Sequence, residues 1–310
     1  MTSNSVPATR EESRVALVTC GEIPDLDPDD RLLLAPLRSR GVTAVPVAWD
    51  AEGVDWAGFD LAVLRSTWDY AARREQFVDW ASAVPRLANP ADVVRWNTDK
   101  RYLRDLAGAG VPVVPTTWAV DGVDLPDGGE YVVKPAVGAG SVDTGRYDLG
   151  LPEHRELAQA HVARLQAAGR LVMVQPYLTA VDTYGETSLL YLPDESGRLA
   201  FSHAIRKGAM LGGPDEGGAG LYKEETIRPR RPLDAELELG ERALAVAPGD
   251  PHSLLYARVD LIPGPDDLPV VVELELTEPS LFLATAEGAA DRLAAAVATR
   301  ARKRDDYYVT

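Results

Sequence analysis

Short apolar runs separated by polar, glycine-bearing turns dominate the first hundred residues. Val15-Ala16-Leu17-Val18-Thr19-Cys20 closes at Gly21, an Asp and Pro loop follows, and residues 31–40 carry helical spacing that Gly41 ends. Residues 44–49 and 61–64 repeat the apolar run. Strands alternating with helices predict an α/β unit with a parallel sheet, whose loops gather at the strand C-termini where such sheets bind ligands. One of those loops is Arg65-Ser66-Thr67-Trp68-Asp69-Tyr70.

The pattern changes near Trp96. Residues 97–108 have helical spacing, with Asn97 or Thr98 as N-cap and Gly110 as stop. Strands are predicted at 116–120, 131–133 and 171–174, with a helix over 152–168. A strand pair follows at 186–192 and 199–205, then a Gly-rich loop at 208–220 and a helix at 234–245. Two more strands, 253–262 and 269–276, flank a Pro and Gly turn, and a helix over 284–300 closes the chain. Residues 1–13 and the charged C-terminal end lack apolar periodicity and are expected to be loose tails. Three units result, 1–95, 96–177 and 178–310, and a length of 310 residues agrees with two or three domains.

Composition removes several function classes. A content of 45% hydrophobic and 26% charged residues belongs to a folded globular chain. The net charge of −16 opposes a nucleic-acid partner. The lone Cys20 and four scattered histidines offer no disulfide and no zinc cluster, so a cytoplasmic location is expected. No apolar run is long enough to span a membrane, and the first residues lack a signal-peptide core. Oligomeric state, a homodimer included, is left open.

Candidate chemistry begins at Val133-Lys134-Pro135 and the loop Gly138-Ala139-Gly140-Ser141-Val142-Asp143-Thr144-Gly145-Arg146. A dinucleotide fingerprint fails because Asp143 stands where its third glycine belongs. A P-loop fails because Arg146 and Tyr147 replace its Lys and Ser/Thr and no helix follows at once. A mobile flap closing backbone N–H groups over a phosphate is the alternative, beside a hairpin without function. Lys134, inside an apolar strand, faces either solvent or a bound anion. Farther on, strand periodicity puts Arg258 and Asp260 on one face, and Glu273 and Glu275 on one face. As antiparallel neighbours, these strands would bring three carboxylates and an arginine together, a charge that Mg²⁺ would neutralise. A solvated amphipathic hairpin is the other reading. The turn Thr277-Glu278-Pro279-Ser280 could aim further polar groups at the same place.

Taken in order, these motifs resemble the ATP-grasp ligases, the family of glutathione synthetase and D-alanine:D-alanine ligase, over residues 96–283. The resemblance implies an ATP-grasp fold, α+β in its nucleotide-binding part, behind an N-terminal parallel-sheet domain. It implies ATP and Mg²⁺ as cofactors, with Lys100 and Lys134 on the phosphates and Ser141 in the flap. Gln175 would meet the adenine amino group, the backbone near Tyr177 and Leu178 its ring edge, and Glu186 the ribose. Asp260, Glu273 and Glu275 would hold metal, although the family usually carries Asn where Glu275 stands. The activity implied is ADP-forming carboxylate–amine ligation through an acyl phosphate, against which a nucleotide-binding scaffold or a small-molecule kinase remain as alternatives. Arg206, Lys207 and Arg258 are candidates for steadying the transferred phosphate. In the N-terminal unit, Arg65, Thr67, Trp68 and Asp69 would suit an amino-acid-like substrate, or else serve helix capping and packing. The chain is also similar to the cyclising ligases of cycloserine biosynthesis, which close an O-ureidoserine onto its own carboxyl group.

Overall fold

A computed structural model describes residues 12–119, 122, 124–215, 221 and 226–303. Residues 1–11 and 304–310 of the expected tails, Val120, and residues 216–220 of the Gly-rich loop, with Tyr222 and Lys223 behind it, lie outside them. The first unit contains β1 (Ser13–Thr19), α1 (Leu34–Ser39), β2 (Val42–Ala48), β3 (Leu61–Ser66), α2 (Arg74–Ala83) and β4 (Leu87–Ala88). Its sheet runs β2-β1-β3-β4 with every pair parallel. Alternation splits the apolar residues between two faces. Val15, Leu17 and Val63 pack beneath α1, whereas Ala16, Val18 and Leu64 meet the aromatic cluster of Trp49, Phe77 and Tyr70.

Next come α3 (Ala91–Asn97), α4 (Tyr102–Gly108), β5 (Thr117–Ala119), β6 (Glu130–Pro135), β7 (Gly145–Asp148), α5 (Pro152–Ala167) and β8 (Val172–Pro176). These strands form an antiparallel sheet in the order β5-β8-β6-β7, covered by α5 through Ala158, Val162 and Leu165. The remainder comprises α6 (Ala180–Tyr184), β9 (Glu186–Pro193), β10 (Leu199–Lys207), β11 (Ile227–Arg230), α7 (Asp234–Leu244), β12 (Ala257–Pro263), β13 (Pro269–Glu275) and α8 (Ala289–Arg302). Its five strands are antiparallel in the order β11-β10-β9-β12-β13. Helix α7 packs on this sheet, but α8 crosses back to the first unit, where Leu293, Ala294 and Val297 share a core with Val15, Leu17 and Leu37.

Some boundaries differ from the sequence pattern for identifiable reasons. Asn97 ends a helix rather than capping one, because its side-chain amide bridges to β13, donating to Leu274 O at 2.7 Å and accepting from Leu276 N at 2.6 Å. Of the predicted helix over 97–108 only Tyr102–Gly108 forms, as α4, and Asn97 instead closes α3, which has no counterpart in the sequence reading. The closing helix starts at Ala289, not near 284, because Phe282 and Gly288 both adopt left-handed backbone conformations before it. The predicted strand from 253 starts only at Ala257, after a one-turn helix at Pro251–Ser253. Helices α2 and α6 and strands β4, β7 and β11 have no counterpart in the sequence reading.

Candidate active site

Three elements meet at one cavity of about 320 Å³: the β6–β7 hairpin, the β12–β13 pair and the N-terminal end of β9. Its lining includes Lys100, Lys134, Ser141, Gln175, Tyr177, Leu178, Glu186, Lys207, Arg258, Asp260, Glu273 and Glu275. The β12–β13 register explains the acidic wall. Arg258 lies opposite Glu275 and Asp260 opposite Glu273, so strand alternation turns all four toward the same face.

Cations interleave with these carboxylates. Lys134 Nζ lies 3.1 Å from Glu273 Oε1, and Lys100 Nζ is 3.7 Å from the same oxygen while donating to Gly138 O at 2.7 Å. Lys207 Nζ bridges Asp260 at 3.0 Å and Glu186 at 2.5 Å. Arg258 contacts Asp260 at 2.9 Å and also Glu275. Burial by itself would raise the pKa of each of these carboxylates. Arg258 and Lys207 nevertheless hold Asp260 well below the usual range, and Lys100 and Lys134 do the same for Glu273. Burial prevails at Glu186 despite Lys207, and at Glu275, where Asp260 and Glu273 add repulsion to it; both pKa values rise.

Could these residues hold Mg²⁺? Among the described residues, no three His, Cys, Asp or Glu side chains are gathered tightly enough to hold an ion by themselves. Mg²⁺ commonly takes only one or two carboxylates, with water and substrate phosphates completing the octahedron. Asp260, Glu273 and Glu275 with neighbouring lysines fit that arrangement, since phosphates drawn to the lysines would release the carboxylates for metal.

The flap residues Gly138–Val142 and Thr144 also line the cavity, and Gly140, Ser141 and Asp143 are at positive φ. Asp143 pairs with Arg164 at 2.8 Å and with Arg170, tying the flap to α5 and the turn behind it. Gly145 cannot carry a side chain, because a Cβ would come 2.5 Å from the backbone nitrogen of Asp215. Gln175 donates from Nε2 to Thr116 Oγ1 at 2.9 Å, so its carbonyl oxygen is what it can offer an amino group. The Tyr177 N–H is engaged by Glu130 O at 2.8 Å.

Several anticipated side chains are directed elsewhere. Arg65 is 1% exposed, 2.8 Å from Asp30, and does not line the cavity. Asp69 accepts from Trp49 Nε1 at 2.8 Å and pairs with Arg73 at 2.6 Å; Thr67 is buried, and neither lines the cavity. Of the four N-terminal candidates only Trp68 reaches it. Arg206 also points away, donating to Thr183 O, and Gly185 at φ +70° allows that approach because a Cβ there would lie 2.4 Å from Lys207 O. Tyr70, expected from the sequence as an aromatic wall of the substrate pocket, lines the cavity, as do Asn97 and Glu278, to which the sequence reading assigned no site role. Glu278 was visible only as part of a polar turn.

A family profile described as "D-cycloserine synthetase DcsG, N-terminal domain" matches residues 15–89. The cycloserine biosynthesis protein DcsG of Streptomyces lavendulae is 41% identical over 308 residues, covering 92% of this chain and 98% of that protein. The crystal structure of D-cycloserine synthetase DcsG superposes with a TM-score of 0.81 at 38% identity, over 94% of this chain and 100% of the other. The ATP-grasp ligase PsnB, solved with a precursor variant, Mg and ADP, shares the fold at a TM-score of 0.59 and 18% identity, over 94% of this chain and 100% of its own.

Proposed function

We propose, from the premise that this chain belongs to the DcsG family of ATP-grasp ligases, that it activates the carboxylate of an amino-acid-like substrate with ATP and closes it onto a nitrogen of the same molecule. The observation carrying this reading is the convergence of Lys100 and Lys134 with Asp260, Glu273 and Glu275 on one cavity. ATP takes the lysine side. Lys100 and Lys134 bind its phosphates, the Gly138–Thr144 flap covers them, and Gln175 and the Leu178 backbone meet the base. Glu186, at the mouth of β9, takes the ribose hydroxyls. Asp260, Glu273 and Glu275 would hold Mg²⁺, which supplies charge neutralisation along the phosphates when bound.

The substrate carboxylate attacks the γ-phosphorus, its bond to ADP breaks, and an acyl phosphate forms. A nitrogen lone pair then attacks the acyl carbon, the C–N bond forms, phosphate leaves, and the nitrogen loses its proton. Arg258 and Lys207 stand beside this centre to stabilise charge on the transferred phosphate. Excluding water matters because an acyl phosphate hydrolyses readily, and the flap supplies that cover. The relative's name points to a cycloserine ring. The nitrogen would then be the oxygen-bound N–H of an O-ureidoserine, closure gives an N-carbamoyl ring, and attack of water on that carbamoyl group releases it as carbon dioxide and ammonia and leaves the ring N–H. Residues 1–95 supply substrate contacts, 96–177 the flap and base side, and 178–310 the metal side. The protein acts as a cytoplasmic enzyme.

The test is phosphate release over a panel of O-ureidoserine and amino-acid pairs, with ADP and product quantified together. Equal yields of ADP, phosphate and ring or amide are expected. AMP with pyrophosphate would overturn the acyl-phosphate route, and a stable phosphorylated product would make the protein a kinase. Lys134→Ala should lower kcat/KM at least about 100-fold, the scale of losing one charge-stabilising group.

A further inference from the structure

An amino-acid substrate has two poles, and its reacting carboxylate must lie at the phosphate end of the cavity. Its ammonium group sits one carbon away and loses its water on entry, so an acidic partner has to meet it there. Neither Arg65 nor Asp69 provides these poles, because both are already paired outside the cavity.

Each acidic side chain on the catalytic strands already has a cation: Lys207 for Glu186, Lys207 and Arg258 for Asp260, two lysines for Glu273, Arg258 for Glu275. Asp27, also in the lining, is half-buried and accepts a backbone N–H from Asp29. Glu278 differs from the paired carboxylates in lacking a cation and from Asp27 in being more deeply buried. It is 9% exposed and lines the cavity, yet no salt bridge joins it to a lysine, arginine or histidine among the described residues. Tyr70, a buried phenol, lines the same cavity.

The turn carrying Glu278 is pinned from several sides. Trp68 Nε1 donates to Glu278 O at 3.0 Å, Arg65 to Pro279 O at 2.8 Å, Arg258 to Ser280 O at 3.2 Å and Tyr256 Oη to Thr277 O at 3.0 Å. A carboxylate held this firmly in a place where burial opposes its charge is a partner prepared for an incoming cation. Burial, with Glu275 adding repulsion, pushes its pKa up to about 8 against the smaller pull of Lys100, so the group is largely protonated near neutral pH while the cavity is empty, and an incoming ammonium favours its ionised form.

We propose that Glu278, carried on the clamped turn in the wall it shares with Tyr70, binds the ammonium group of the amino-acid substrate and makes the enzyme select amino acids over acids lacking the amine. The Arg65–Tyr70 loop serves specificity at one remove: Arg65 and Trp68 fix the turn and Tyr70 walls the cavity beside it. The inference rests on the ligase reading above and names the determinant of its substrate class.

The test compares O-ureidoserine with 3-(ureidooxy)propanoic acid, the same molecule without its α-amino group, in the full-length protein and in Glu278→Gln. Phosphate release should favour the amino acid about 100-fold in the wild type, the scale of a buried charge-assisted contact. The variant should lose most of that preference through a raised KM for the amino acid, with the analogue little changed. Calorimetric titration of the same pair into the Mg²⁺·ADP complex reads binding without turnover, and the amino-acid advantage should disappear there too. The amide is isosteric and removes a buried charge, so an unchanged melting temperature and ADP affinity are expected. A variant that keeps the preference, loses both compounds equally, or loses ADP and Mg²⁺ binding overturns the assignment, as does a wild type that binds the two compounds alike. If the wild type binds O-ureidoserine selectively but releases no phosphate with any compound, the ligase reading fails while the calorimetry still decides Glu278.

Discussion

At the scale of the residue, cationic side chains divide between chemistry and architecture according to their partners. Lys134 and Arg65 both sit in apolar strands. Lys134 faces Glu273 across a cavity, whereas Arg65 is sealed against Asp30, with Ser66 Oγ donating to the same carboxylate at 2.6 Å. Removing one partner of a sealed ion pair leaves an uncompensated charge, so Arg65→Met should cost about 3–5 kcal/mol in denaturant unfolding. A loss below about 1 kcal/mol would mean that Asp30 is solvated after all. Sequence periodicity revealed the lysines and the acidic pairs because strand alternation fixes which face each shares. It could not separate a substrate-facing arginine from a sealed one, since both are an Arg at a strand end. Nor could it foresee that Asn97 spends its amide on β13 rather than on a helix N-terminus.

At the scale of the element, α5 anchors the covers of the site. Arg164 on its exposed side pairs with Asp143 of the flap at 2.8 Å and with Asp215 of the loop after β10 at 2.6 Å. Tyr147 adds a further tie, accepting from Asp215 N at 3.2 Å and contacting His161 Nδ1 at 2.9 Å. Arg164→Ala should therefore loosen both covers at once. Hydrogen exchange at residues 138–144 and at 210–215 should rise together, and KM for ATP should increase several-fold with little change in melting temperature. Faster exchange in the flap alone would show that the two move independently. Most strands and long helices were legible from periodicity. The pairing of these loops was not, because it depends on contacts between segments about 50 positions apart in the chain.

At the scale of the whole molecule, buried histidines bear on behaviour in acid. Burial lowers the pKa of His161, against the pull of Asp215, and likewise lowers that of His203, whose Nε2 lies 3.0 Å from Leu281 O. In the unfolded chain both return to their ordinary value of about 6.5 and bind protons more readily than in the fold. Their contribution is thus fully present above about pH 6.5 and is lost as pH falls through the lower folded values. Unfolding midpoints should drop between pH 7.5 and 5, and the drop should shrink in the double variant His161→Gln/His203→Gln; an unaltered drop would assign the acid sensitivity to other groups. Among the described residues no helix is long and apolar enough to cross a membrane.

The position of α8 also bears on synthesis. Its apolar stripe completes the core begun by β1 and α1, so that sheet, made well before α8, stays without its lid until α8 has left the ribosome. Throughout elongation that nascent sheet presents sticky, half-covered surface, and an excised fragment spanning residues 15–89 would keep this defect permanently.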